Sequence, residues 1–379
     1  MTSTRPDRRP VYLEFPDFGY GPASALLSLV RPVIGDYDWH VVSTGSASAF
    51  ALAQLPGATP HELDTFPSPN WPRFANIAPP GAMVVSATNP GFAAWALENG
   101  YRVGVVDTLR WMWDVPEPAL ANAAFHIVQF YFGSTAPAGA GGRAHVRPIV
   151  DEALWPATER RDPVPGTAVI GLGGMHLPGA DDMVADYVRW LLAAVLPQLI
   201  HDVGSQSVTI AGGRPDLASL VPGPWSAHPA VHVRTDLTQA EYAKTARSAE
   251  HLICSPGLAS IYECAAAGLA PLWQPGFSMS MVLQSRHLAS TGYPHLASWP
   301  WTVEAAERIR GLPEEEGVRH VADRIMSTIR DADPAGDCLA KPLTRYLESA
   351  RARSALVIPV DPSLPSGPEP FADSLSRVA

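Results

Sequence analysis

The stretch 249–288, AEHLICSPGLASIYECAAAGLAPLWQPGFSMSMVLQSRHL, holds the residues whose types and spacing are most suggestive of chemistry. It reads as strand, tight turn, helix, strand, loop, helix. Ser255 is placed to cap the first helix, Pro256 to be its first residue, and Gly257 to let a ligand reach the first-turn amides. Unpaired N–H groups and the helix dipole make such a terminus an anion site, and a phosphate suits it. Ser260 and Glu263, three apart, share a helix face one turn further on, where a carboxylate can accept both hydroxyls of a ribose. On spacing alone the pair fits a capping box or a solvated face equally well. Gly268 ends the helix, 270–273 returns as a buried strand, and beyond the loop containing Gly276 the side chains of Gln284 and Arg286 are candidates to face a sugar.

The N-terminal half carries VVDTLRWMW at 105–113 directly after a strand pattern. Asp107 then stands at the C-terminal end of a parallel strand, where open α/β sheets collect ligands, and Trp111 and Trp113 are suited to stack a planar molecule. Gln129, in FHIVQFYFG, is a similar strand-end candidate. A helix-capping aspartate with tryptophans and a glutamine packed on the domain face would explain the same residues.

The segment CSPGLASIYECAAAGLAPLWQPGFSMSMVLQ resembles the donor-binding segment of GT-B glycosyltransferases, among them the N-acetylglucosaminyltransferase of peptidoglycan synthesis and the UDP-glycosyltransferases. The resemblance covers about forty residues and agrees in spacing as well as residue type. It implies that the turn of Ser255, Pro256 and Gly257 binds a diphosphate, that Glu263 with Ser260 holds the ribose, and that Gln284 reaches the sugar. The strand 168–172 running into Gly173, Gly174, Met175 and His176 is similar to the glycine turn that faces the diphosphate in that family, although a lone glycine pair also serves as a plain strand-to-helix connection. PDFGYGPAS at 16–24 stands where the family has its glycine-rich acceptor loop, so Phe18, Gly19, Tyr20 and Gly21 become acceptor candidates. The histidine often found in or near that loop is absent, which leaves Asp107 as first choice of base and Asp17 as second.

FGYGPAS and DTLRWMW together resemble the cytosylglucuronate synthases, which make a precursor of nucleoside antibiotics. That narrower resemblance implies transfer of glucuronate from UDP-glucuronate to a ring nitrogen of cytosine with inversion at the anomeric carbon. No metal and no cofactor beyond the UDP-sugar co-substrate is implied. Arg286 or Arg214, the latter in AGGRPD, would then pair with the donor carboxylate. A UDP-sugar hydrolase of the same architecture and a catalytically silent nucleotide-sugar-binding protein remain alternatives.

These residues need a scaffold of parallel strands. Short β-branched runs at 11–15, 39–43, 83–86, 102–106, 125–130 and 145–149 alternate with helical patterns, and the rhythm restarts at 168–172, 207–211, 230–233, 251–254 and 270–273. Such alternation predicts two Rossmann-like α/β domains, in GT-B enzymes facing each other across a cleft. The proline-rich, charged stretch WPATERRDPVPG suggests a connector, giving an acceptor domain at 1–155, a linker at 156–166, a nucleotide-sugar domain at 167–356 and a flexible, proline-rich tail at 357–379.

Composition narrows the partners. At 379 residues, 46% of them hydrophobic and 17% charged, the chain can bury two cores. A formal net charge of −10 with no basic run argues against nucleic acid and anionic membrane as partners. No run of about 20 unbroken apolar residues and no signal-peptide pattern is visible. Cys254, Cys264 and Cys338 form neither an even framework nor a metal-ligand spacing, which fits a cytoplasmic setting. The sequence admits a homodimer without specifying one.

Overall fold

The computed structural model describes residues 8–112, 118–133, 143–157, 162–310, 312–333, 335–349 and 354–379. The chain divides into two compact units, one formed by 1–150 with 359–379 and the other by 151–358.

Unit 1 is built on a parallel seven-stranded sheet of order β3-β2-β1-β4-β5-β6-β7. Its strands are β1 (Pro10–Glu14), β2 (Asp38–Ser43), β3 (Thr59–Glu62), β4 (Met83–Ala87), β5 (Arg102–Asp107), β6 (Phe125–Gln129) and β7 (Ala144–Val146). Central strands such as MVVSA are buried on both faces, as near-continuous apolar runs in a helix-covered parallel sheet must be. Chain order reverses between β1 and β4, whose register pairs Leu13 with Val85 and Glu14 with Ser86. Every strand expected from the sequence is present, and one more, β3, was not legible. Its sequence TPHE is polar and mostly exposed, and it forms the sheet edge beside β2, so no buried face imprinted a pattern on it.

Unit 2 carries a parallel five-stranded sheet of order β10-β9-β8-β11-β12. The strands are β8 (Val164–Gly173), β9 (Ser207–Gly212), β10 (Val231–Arg234), β11 (Ala249–Cys254) and β12 (Leu272–Trp273). Here the order reverses between β8 and β11, with Cys254 opposite Gly171. The helix Asp181–Pro197 and its π-helical extension Gln198–Asp202 are apolar and long enough to meet a membrane-span criterion. Val184, Tyr187, Val188, Leu191, Leu192, Val195 and Leu196 are instead fully buried within the unit.

Two boundaries differ from the sequence reading. Unit 2 begins at Asp151, Trp155 is buried in it, and β8 starts at Val164, so all of the described part of the expected linker belongs to unit 2; residues 158–161 lie outside the described residues. The expected flexible tail contains the helix Pro368–Val378, which puts Phe371 and Leu375 into the core of unit 1. Their i, i+4 spacing makes one apolar stripe, and proline in the first turn suits a helix start, so the proline-rich run marks the approach to a helix and not a solvated end.

Candidate functional site

In unit 2 the reversal of strand order brings three loops to the C-terminal ends of β8, β11 and β12. After β8 the backbone turns through Gly173 at φ +70° and Met175 at φ +57°. A non-glycine residue in the left-handed region costs of order 1–3 kcal/mol, and such strain collects at functional turns. The Met175 side chain is a core plug against Gly212, so the turn can offer a ligand only its backbone. His176 is tied back by Nδ1 to Asp181 Oδ1 at 3.0 Å.

Beyond β11 the helix Leu258–Ala266 opens differently from expectation. Gly257 is its N-cap and contributes no side-chain cap, while Ser255 and Pro256 precede the helix. Ser255 Oγ is turned inward, 3.2 Å from Gln274 Oε1 and 3.3 Å from the Leu172 carbonyl oxygen, so it braces the strand ends in place of capping. Gly257 N–H donates to Ser255 O at 2.8 Å. The amides of Leu258, Ala259 and Ser260 are therefore the first-turn donors left for an anion. Gln274, which sequence reasoning did not single out, is fully buried and joins this bracing: its amide nitrogen donates to Gly171 and Ile253 carbonyls, and Tyr187 Oη donates to its oxygen. A polar residue inside the apolar run LWQPGF was the available signal.

Ser260 is half-buried one turn into that helix, and Glu263 follows at 7% exposure. Burial pushes the Glu263 carboxyl up to about 7; a hydrogen bond from Gln239 opposes the shift, the Asp151 charge adds to it, and the Trp155 indole also favours the ionised form. Glu263 is thus no solvated helix-face residue. In the following loop a Cβ on Gly276 would lie 2.7 Å from the Met281 carbonyl carbon, so only glycine lets the loop close onto the helix Met279–Ser290. Gln284 on that helix is buried at 1% exposure, and its Oε1 accepts no hydrogen bond among the described residues. Gln284 and Arg286 do not act as a pair: positions i and i+2 point to different sides of a helix. Arg286 forms an ion pair with Glu307. Arg214 is likewise committed, to Asp216 through Nε at 2.8 Å and Nη2 at 3.0 Å, and to the Asp181 carbonyl. Neither arginine is a free anion contact.

In unit 1 the corresponding reversal lies between β1 and β4. There Glu14, missed in the sequence, is fully buried and accepts from Thr65 Oγ1, from Ser86 Oγ at 2.5 Å and from Asn89 Nδ2 at 2.9 Å. Burial raises its carboxyl to about 7 against these three hydrogen bonds. An acid inside the apolar strand VYLEF was its signal. Asp17 accepts from Ser46 Oγ and Ala47 N at 3.2 and 3.1 Å, and so ties the N-terminus of the helix Gly45–Leu52. Gly45, at φ +59°, has no room for a Cβ beside the Asp17 carboxylate. Asp17 is thus engaged at a helix start.

Among the acceptor candidates, Phe18 packs on Phe66 at 5.9 Å and Tyr20 stacks on Phe50 at 4.3 Å. Burial, with Asp17 nearby, pushes the Tyr20 hydroxyl up to about 12, so it donates and does not ionise. Gly19 takes the left-handed turn at φ +71°, and Gly21 opens the helix Gly21–Val30. One face of Trp111 is already taken by Tyr131, at 3.8 Å and 6° between planes. Trp113 lies outside the described residues. Gln129 Oε1 accepts from Ile149 N at 2.9 Å, a structural tie between β6 and the strand-end loop after β7. Asp107 does stand at the end of β5, 7% exposed, with Oδ1 accepting from Leu109 N at 3.2 Å. Beside it Thr88, a β-branched residue at φ +60°, shares a 2.9 Å hydrogen bond with Thr108.

No protein-family description matches the chain, and comparison with curated proteins finds no match. Among solved structures, the spinosyn rhamnosyltransferase SpnG aligns with a TM-score of 0.50 at 12% identity, covering 97% of this chain and 100% of SpnG. S. aureus MnaA, solved with UDP, aligns with a TM-score of 0.50 at 11% identity over 93% of this chain and 100% of that one. The chain has the two-unit, Rossmann-like α/β fold expected of GT-B proteins. At such identities the likeness carries the fold and leaves the chemistry to the site.

Proposed function

We propose that the chain is a UDP-sugar-dependent glycosyltransferase whose unit 2 holds the donor and whose unit 1 holds a small planar acceptor. The observation that supports it most is the conjunction at the β8/β11 reversal. A strained glycine turn, a helix opening without a side-chain cap and a buried Glu263 one turn further on stand in the order in which diphosphate and ribose follow one another. The UDP seen with S. aureus MnaA is a ligand of the same chemistry on the same fold. In this reading the amides of 258–260 stabilise the charge that develops on the departing diphosphate, and Gln284 Oε1 accepts from a sugar hydroxyl. A ring N–H of the acceptor loses its proton to Asp107, the nitrogen bonds to the anomeric carbon with inversion, and the carbon–oxygen bond to UDP breaks. The reaction needs the UDP-sugar as co-substrate and no resident cofactor.

Glucuronate and cytosine are the finer form of the proposal, and they rest on the resemblance of FGYGPAS and DTLRWMW alone, since Arg214 and Arg286 are both ion-paired. Purified protein incubated with UDP-glucuronate, UDP-glucose or UDP-N-acetylglucosamine and a pool of nucleobases, with products read by mass, tests both levels. A glycosylated base supports the proposal, and its mass names the sugar. UDP release that ignores every acceptor means a hydrolase. Asp107→Asn is expected to keep UDP affinity and lower kcat by roughly 100-fold or more, the scale for a lost general base. Near-wild-type turnover by that variant would place the base elsewhere.

A further inference from the structure

Asp107 does not stand alone at the end of β5. β5 and β6 run parallel with Val105 opposite His126 and Asp107 opposite Val128. Since alternate residues of a strand share a face, His126 lies on the same side of the sheet as Asp107, one step further from the strand ends. Its ring reaches towards the carboxylate: Nε2 is 3.6 Å from Asp107 Oδ2. Both residues are nearly sealed from water, at 6% and 7% exposure. On the neighbouring strand β7, burial first, then the charges of Arg143 and His126, hold the His145 imidazole below its ordinary value.

His126 Nε2 is buried and makes no hydrogen bond, because 3.6 Å is too long for one. An unmade buried bond costs about 1–3 kcal/mol, enough to select for satisfying it elsewhere in the core. Catalytic hydrogen bonds are often long in the ligand-free state and tighten when substrate arrives. The other carboxylate oxygen is already fixed by Leu109 N–H at 3.2 Å. Closing the remaining gap would hold Asp107 by both oxygens and set which lone pair faces the acceptor.

We propose that His126 is a positioning residue that orients the Asp107 carboxylate through its Nε2–H as the acceptor proton is withdrawn. The inference rests on Asp107 being the base.

The test compares His126→Leu, which keeps bulk and loses the donor, with His126→Gln, whose amide nitrogen can take the place of ring Nε2. Turnover of UDP-glucuronate with cytosine, or with whichever nucleobase the wild type accepts, is measured alongside UDP affinity and melting temperature. His126→Leu is expected to lower kcat by roughly 10-fold or more with KM for the donor unchanged, and His126→Gln to restore most of it. Adding His126→Leu to Asp107→Asn is expected to cost nothing further, because the histidine acts only through the carboxylate. Equal losses in the Leu and Gln variants, additive losses in the double variant, or wild-type turnover in His126→Leu would each overturn the inference. Failure of the parent reading shows differently: Asp107→Asn would then be as active as the wild type, or no base would be glycosylated by the wild type.

Discussion

Glu263 joins stability to binding with opposite signs, and the size of both effects follows from its burial. Its carboxyl is raised from 4.5 to about 7 by removal from water. The folded value lies above the unfolded one, so the associated stability is complete below about pH 4.5 and is lost as pH rises through about 7. The loss totals about 3 kcal/mol, at roughly 1.4 kcal/mol for each pH unit that separates the two values. Glu263→Gln removes the charge and should leave ligand-free unit 2 more stable than wild type at pH 8 by up to about that amount. UDP binding should move the other way. Two ribose hydroxyls donate best to an ionised carboxylate, and charge-assisted bonds are about twice as strong as neutral ones, so Glu263→Gln should weaken UDP at pH 8 by about 1.5–3 kcal/mol. Wild-type protein must also ionise before it binds. About one molecule in eleven is ionised at pH 6 and about ten in eleven at pH 8, so its affinity should be about tenfold weaker at pH 6. Calorimetric titration of UDP at pH 6, 7 and 8 into both proteins separates this from titration of the phosphate, which both share. A wild-type pH slope no steeper than that of Glu263→Gln would refute the ribose contact, and a variant no more stable at pH 8 would refute the buried charge.

Glu14 makes a parallel statement for unit 1: raised from 4.5 to about 7, it should cost that unit about 3 kcal/mol between pH 5 and pH 8, and Glu14→Gln should flatten the pH dependence of urea unfolding followed on unit 1 amides by hydrogen exchange. An unchanged slope in the variant would mean that the three hydrogen bonds to Glu14 already offset its burial. Phe371→Ala should destabilise unit 1 by about 3–5 kcal/mol, since the ring is fully buried and packs edge-on against Phe125 at 5.9 Å. A melting temperature equal to wild type would show that the C-terminal helix is dispensable to the core.

What the sequence disclosed follows from how each feature is encoded. Strands buried on both faces, such as LIC in β11 and VGVV in β5, announce themselves by composition, and the reversal points follow once order along the chain is known. The Gly257 helix opening and Glu263 were legible because spacing along one segment carries them. The cap was misassigned by two residues because the serine that looks like a cap has a second use, bracing Leu172 and Gln274 across neighbouring strands. The commitments of Asp17, Gln129 and Arg286 were illegible because their partners lie elsewhere in the chain; the partner of Arg214, Asp216, is two residues on, but an unpaired and a paired arginine read alike in a sequence. His126 was hidden inside a strand, where a lone histidine most often satisfies packing, and only the register of β5 with β6 sets it beside Asp107.

The two units use one topology for opposite electrostatic ends. Around the reversal in unit 1 stand Asp17 and Asp107, 8% and 7% exposed, and beside them Glu14, whose carboxyl is raised to about 7 and so carries only part of a charge at neutrality. A unit negative charge about 5 Å from one carboxylate is disfavoured by about 3 kcal/mol at an effective dielectric of 20, and a diphosphate there would meet that penalty more than once. In unit 2 the equivalent strand ends present backbone amides, glycines, Ser255, Gln274 and Gln284, which are neutral and rich in hydrogen-bonding capacity. Glu263 stands one turn beyond the helix opening with its carboxyl raised to about 7, and Asp181 is paired with His176. These neutral groups support the proposed placement of the diphosphate in unit 2. On the proposed reading the same carboxylates, Asp17 and Asp107, disfavour an anionic acceptor in unit 1.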